Sequence, residues 1–260
     1  MLLAHFPDFG QTKLFDLNKL ENGELKDFFL QKKIIVIGEM HGTMEVPHFV
    51  LQLVRLLAEE NKPFEVALEI NSNHQNEIDD FMKNGNFDEL IELDYFKVKD
   101  GRSSIAMGEL LKGLRNIKGI RIICFDIEST LGNVTYRDSL MAVNLFNHYN
   151  GGQLIIFTGN LHALQQEVSW RPGFKSAIIH FDQMMNSGDK LISLNACFGG
   201  GTIWNCMKDG CREREAYSNP NMRQNSGLDN FIGIYKGVDH SGYGGFIFFD
   251  KVKASPPLLN

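Results

Sequence analysis

Several things are missing from this sequence, and each absence removes a class of function. No apolar run approaches the ~20 residues that a membrane-spanning helix needs, so no transmembrane segment is expected. Excess basic charge is missing too. The net charge is −6 and no long basic stretch offsets it, which argues against a nucleic-acid partner held through its phosphate backbone. Only four cysteines occur (Cys124, Cys197, Cys206 and Cys211), too few for a disulfide scaffold. The opening Met1–Pro7 is too short and too polar for a secretory signal, although export after removal of a leader stays open. The chain carries no G-x-x-x-x-G-K-[ST] loop, no G-x-G-x-x-G after a strand, no G-x-S-x-G elbow and no H-E-x-x-H helix.

What is present is ordinary globular material: 43% hydrophobic and 22% charged residues over 260 positions. A chain of this size buries enough surface to need no cross-links. Apolar runs at 33–37, 65–70, 120–125 and 153–158 read as buried strands. Helical patterns separate them at 47–60, 87–96, 104–118 and 136–149. Pro47 suits a first helical turn, with Val50, Leu53, Val54 and Leu57 following as a core face. Leu140, Val143 and either Phe146 or Asn147 are read as the repeat of the 136–149 helix. Ser72 and Gln75 have capping-box spacing. Strand–helix alternation predicts an α/β fold with a mostly parallel sheet flanked by helices.

In the last third, 177–181 reads as a fifth strand, and 191–197 with 202–206 as a hairpin around Phe198–Gly201. Residues 208–230 read as a long polar loop and 245–249 as a late strand. Residues 1–31 form a lead-in with a short helix at 23–31, and 254–260 a tail. No linker divides the chain, so 1–260 is expected to be one domain with antiparallel additions near its end. Cys206 and Cys211 span a turn-like segment and are either bridged or free. With Cys197 they form a weaker candidate for metal.

Two Gly-x-x-His tetrapeptides end two of the strands: Gly38-Glu39-Met40-His41 and Gly159-Asn160-Leu161-His162. Parallel strands put their carboxyl ends on one edge, where ligands bind in open α/β sheets. Glu39 and His41, Glu69, Asp126 with Glu128, and His162 would therefore converge, with Glu45 just beyond. Two imidazoles and a carboxylate (His41, His162, Glu39) can bind a divalent metal. Alternatively, one neutral imidazole can take a proton from water while a carboxylate fixes its tautomer. Arg137 lies in a first helical turn, where the macrodipole disfavours a cation. It can face the site carboxylates or bind an anionic transition state. His48 and His148 read as packing or capping residues, and His180 as a weaker analogue of His162. His5, His74 and His240 carry no signal, and mid-strand Cys124 is a poor nucleophile.

The string Ile37–Pro47 resembles the opening motif of the erythromycin esterase/ChaN-like/Tiki superfamily. Ala67-Leu68-Glu69, Arg137-Asp138 with Met141-Ala142, and Thr158–Ala163 match further motifs in the same order. Asp100–Ser104 and Ala254–Pro257 are similar to a bacterial branch of that group. The superfamily includes esterases that activate water with a histidine, metal-dependent peptidases, haem- or iron-binding uptake proteins and a toxin domain. The resemblance implies an α/β fold and a site at Glu39, His41, Glu69, Arg137 and His162. The expected activity is hydrolysis of an ester or amide bond in a small molecule or peptide, directly or through a divalent metal. The alternative is haem or iron binding without turnover.

Overall fold

The computed structural model describes residues 12–20, 23–60, 63–127, 134–217 and 221–259. Among the described residues ten strands run in chain order: β1 (Thr12–Asp16), β2 (Ile34–Glu39), β3 (Phe64–Asn71), β4 (Ile120–Asp126), β5 (Gln153–Gly159), β6 (Leu191–Phe198), β7 (Thr202–Met207), β8 (Gly210–Glu215), β9 (Asn230–Tyr235) and β10 (Gly245–Phe249). The helices are α1 (Gly23–Leu30), α2 (Glu45–Ala58), α3 (Gln75–Asn84), α4 (Phe87–Ile91), α5 (Asp94–Lys97), α6 (Ile105–Arg115), α7 (Val134–His148), α8 (Ala177–Met185) and α9 (Asn221–Ser226). Eight strands form one sheet in the order β1-β9-β10-β6-β2-β5-β3-β4, and β7 pairs with β8 apart from it. The sheet is parallel from β10 through β4 and antiparallel at β1-β9-β10. This is the expected α/β architecture, with antiparallel additions late in the chain.

Strand alternation divides the core. Ile35 and Ile37 of β2, Val66 and Leu68 of β3, and Ile155 and Phe157 of β5 face one way, against α2 and α6. Ile34, Val36, Ala67, Leu154 and Ile156 face the other, against α7 and α8. Both faces are covered, as continuous apolar runs require. The same alternation sends Glu39 to the first face and Glu69 to the second, so the two carboxylates reach the sheet end from opposite sides.

Several sequence expectations change. The run 177–181 is not a strand but the start of α8. Ser176 caps it, accepting from Ile179 N–H, and tertiary packing overrides the β preference of Ile178 and Ile179. β6 and β7 do not form a hairpin: β6 lies inside the main sheet between β10 and β2, and β7 turns back onto β8. The 208–230 segment is not one loop, since it contains β8 and α9. Within the lead-in, β1 pairs with β9. On α7 the buried face is Met141, Ala142 and Leu145, whereas Val143 and Phe146 are exposed. His48 neither packs nor caps; it is exposed and lies 2.8 Å from Glu109. His5 and Glu128 lie outside the described residues.

Ser72 and Gln75 form no capping box. The Gln75 amide instead bonds along edge strand β4, donating to Ile122 O (2.9 Å) and accepting from Cys124 N–H (2.8 Å). One side chain thus supplies the hydrogen bonds that a ninth strand would make, which blunts an exposed sheet edge. Removing it leaves those two backbone groups without this partner. Gln75→Ala is expected to lower stability by about 1–3 kcal/mol, read as a reduced urea midpoint with an unchanged slope.

Candidate active site

The carboxyl ends of β2, β3 and β5 open into a pocket of about 460 Å³, large enough for a drug-sized molecule, while Asp126 at the tip of β4 stands behind its lining. Its lining includes Glu39, His41, Glu69, Arg137 and His162, all singled out from the sequence. The glycine of each motif permits a close approach. A Cβ on Gly38 would lie 2.7 Å from Ala163 Cβ, so only glycine lets the 160–163 turn pack against the end of β2. A Cβ on Gly159 would lie 3.0 Å from His41 Nε2 and 3.6 Å from His162 Cδ2. The two imidazoles therefore flank a single residue that lacks a side chain.

Glu69 is the centre of the polar network. Its Oε2 accepts from Thr158 Oγ1 and Gly159 N–H, both at 2.7 Å, and lies 3.5 Å from His41 Nε2. Its Oε1 lies 3.2 Å from Arg137 Nη2 and 3.8 Å from His162 Nε2. Burial opposes ionisation, but His162, His41 and Arg137 outweigh it and hold the carboxyl well below the usual range. Asp126 at the end of β4 lies 2.6 Å from Arg137 Nη2, and its pKa is raised by burial and by the charge of Glu69. Arg102, from the loop before α6, is held by Asp100 (2.7 Å) and reaches within 3.8 Å of Asp126. Arg137 thus faces carboxylates, as its unfavourable place in the helix suggested.

The histidines are prepared differently. His41 Nδ1 lies 3.0 Å from Glu39 and its Nε2 faces Glu69, a setting for an imidazolium that donates at both nitrogens. Burial disfavours that cation, but hydrogen bonds to Glu39 and Glu69 prevail and raise its pKa to about 10. His162 Nδ1 lies 2.8 Å from buried Asp138, while Nε2 lies 2.8 Å from Arg137 Nη1. A guanidinium can only donate, so Nε2 carries the lone pair and Nδ1–H donates to Asp138. Burial opposes charging His162, yet Glu69 and Asp138 raise its pKa, which makes Nε2 a stronger base.

Other expectations find a different place. Glu45 is not among the lining residues; its Oε2 accepts from Lys253 N–H at 3.0 Å, tying α2 to the chain end. As arranged, His41, His162 and Glu39 do not fit as a metal ligand set. The His162 nitrogen facing the pocket contacts Arg137, and Glu39 is engaged with His41. Among the described residues no group of three or more His, Cys, Asp or Glu side chains is placed to hold a metal ion. Burial raises the Cys124 thiol, in keeping with an inert core position.

Sequence reasoning named Asp138 only within the Arg137-Asp138 motif, without a role at the site, and assigned no role to Asp100, Arg102 and Trp204, which line the pocket. Asp138 sits beside Arg137 in the sequence, so the clue was adjacent. Trp204 depends on a hairpin whose position no local pattern specifies. Its Nε1–H donates to Lys99 O (3.0 Å) and its backbone N–H to Gly42 O (2.9 Å). Beside it Cys206, disulfide-bonded to Cys211, also lines the pocket. The tail braces this wall from behind: Ser255 N–H donates to Gly42 O and Leu258 N–H to Ser103 O.

No protein-family model matches the chain, and no curated protein matches its sequence. Solved structures do match. A Bacillus cereus protein is similar over 94% of both chains, with a TM-score of 0.66 at 16% identity. An erythromycin esterase mutant, solved in its open conformation, matches 95% of this chain and 96% of its own (TM-score 0.69, 9% identity). The haem-binding ChaN of Campylobacter jejuni matches 83% of this chain and all of its own (TM-score 0.51, 15% identity). The chain has the erythromycin esterase/ChaN-like fold. That fold accommodates both an esterase and a haem-binding protein, so shared architecture leaves the chemistry to be argued from the site.

Two outcomes are expected from the geometry. Because the folded-state pKa of His41 is raised from 6.5 to about 10, its stabilising contribution is complete below pH 6.5 and lost as pH rises through about 10. Glu69 has the opposite sign: its contribution is present above pH 4.5 and lost as pH falls toward its depressed value. Urea titrations between pH 6.5 and 10 should show falling stability in the wild type and a flatter profile in His41→Gln. Gly159→Ala is expected to push the His41 ring off Glu69 while the sheet stays intact, seen as an altered His41 nitrogen resonance with unchanged far-UV circular dichroism.

Proposed function

We propose that this protein is a hydrolase of ester or amide bonds in which His162 is the general base. The observation that carries this reading is the Asp138–His162 pair, 2.8 Å apart and buried behind, with Nε2 directed to the pocket beside a charged His41. A buried carboxylate that fixes the tautomer of an imidazole, leaving its outer nitrogen basic, is the arrangement that activates a hydroxyl or a water. Water enters beside His162 as Arg137 yields Nε2 while staying tied to Asp126 and Glu69. His162 takes one proton from the water, and the oxygen bonds to the substrate carbonyl carbon. The resulting oxyanion is stabilised by the His41 imidazolium and Arg137. The tetrahedral species then breaks its C–O or C–N bond, and the leaving group receives the proton held by His162. The imidazole returns to its starting state, so one water and one ester or amide give an acid and an alcohol or amine.

Glu39 and Glu69 orient and charge His41 in this scheme and do not touch the reacting atoms. The pocket volume suits a small molecule or the side chain and flanking backbone of a peptide.

The fold likeness to a haem-binding protein supports a second reading, in which the histidines coordinate haem without turnover. The ion-paired floor of the pocket favours the hydrolase. A panel of small esters and peptides should reveal turnover in the wild type and a loss of at least ~100-fold in His162→Ala, the size expected of a missing general base. Full activity in that variant would overturn the assignment. A Soret band on addition of haem, abolished by His162→Ala, in a protein inactive on the whole panel would establish the haem reading instead.

A further inference from the structure

Asp138 does more in this structure than hold His162. It is fully buried in α7, and its Oδ1 alone takes both of its hydrogen bonds, from His162 Nδ1–H (2.8 Å) and from Ala177 N–H (2.7 Å) at the start of α8. The other oxygen, Oδ2, is buried with no partner. Leaving a carboxylate oxygen unsatisfied in the interior is costly, and native proteins rarely do so. A second orphan lies on the adjoining helix: Nε2 of His180 is likewise buried with no partner. His180 is three residues beyond Ala177, so both lie on the same face of α8. Side chains on a helix lean toward its N-terminus, and here that is the end at which Asp138 is docked.

We propose that His180 is a positioning residue for this site, donating from Nε2–H to Asp138 Oδ2 directly or through one water, so that His162, Asp138 and His180 form one hydrogen-bonded chain. The proposal deepens the reading of His162 as a base and rests on it for its catalytic meaning, though not for its geometry. It explains two buried orphans with one contact, one a donor and the other an acceptor. Burial and then Lys175 lower the pKa of His180, which favours a neutral ring, while Asp138 opposes them. The titratable and charged groups facing it are Asp138 from α7 and Lys175 from the segment before α8. A neutral donor steadies Asp138 without neutralising it, leaving the carboxylate charge to act on His162. His162 is also fixed from α8 directly, because Ile178 N–H donates to its backbone carbonyl (3.2 Å). The helix that carries His180 thus holds both the base and its orienting carboxylate.

The test uses the intact chain labelled with nitrogen-15 on histidine, comparing wild type, His180→Ala, His180→Gln and the surface control His48→Ala. Gln places an amide N–H near the position of Nε2 and should restore the contact, whereas Ala cannot. The expected result is a displaced His162 Nδ1–H resonance in His180→Ala, a return toward the wild-type position in His180→Gln, and no change in His48→Ala. Where turnover is measurable, kcat should fall in His180→Ala and recover in His180→Gln, with little change in KM. His162 resonances unchanged in a folded His180→Ala variant would overturn the proposal. Displacement in both His180 variants alike would overturn it as well, by pointing to general disruption of α8. The spectrum needs no substrate, so the chain of hydrogen bonds is tested even in a protein that proves not to be a hydrolase.

Discussion

A single buried carboxylate organises the functional end of this molecule. Glu69 lies at the tip of β3, accepts two hydrogen bonds from β5 and faces two imidazoles and a guanidinium. Its charge is tolerated in the interior because those partners outweigh desolvation. In turn it sets the states of its neighbours. It helps to keep His41 protonated, raises the basicity of His162 and gives Arg137 a reason to occupy an unfavourable place at the start of α7. Without Glu69, His41 and His162 would each lose a partner that raises their pKa, whereas Arg137 would stay charged and keep Asp126.

The sheet makes this convergence possible. Pleating sends Glu39 and Glu69 to opposite faces, and the two motif glycines let the strand ends and the 160–163 turn approach closely. Residues more than a hundred positions apart therefore meet around the Cα of Gly159. The opposite wall is built by less regular parts, namely the β7–β8 hairpin and the turn carrying Arg102, braced by the final segment, which bonds to both Gly42 O and Ser103 O. One side of the pocket is thus fixed by the sheet and the other by a strap of loops. The tie from Lys253 to Glu45 anchors that strap to α2.

Much of the first side was legible in the sequence. Continuous apolar runs ending in glycine mark buried parallel strands, and the residues just after such a strand must sit at the carboxyl edge. That logic located Glu39, His41, Glu69, Asp126 and His162 without any coordinates. It failed where local signals were ambiguous or long-range. Ala177–Phe181 has strand-like composition, but Ser176 and packing against α7 make it a helix, and with it came the role of Ala177 and His180 near Asp138. Gln75 looked like a capping residue because its spacing fits one, yet a sheet edge offers its amide a better pair of partners. Trp204 and Arg102 reach the pocket from segments whose placement depends on the tail, a long-range contact that no periodicity encodes.

The central claim is that Glu69 couples the two histidines, and it is tested most directly by titrating the His41 imidazole through its nitrogen resonances in the wild type and in Glu69→Gln. The amide can still accept from Thr158 and Gly159, so the fold should survive the change. A midpoint near 10 in the wild type that falls in the variant, with the Glu39 hydrogen bond still supporting the imidazolium, is the predicted result. The same midpoint in both proteins would contradict the account.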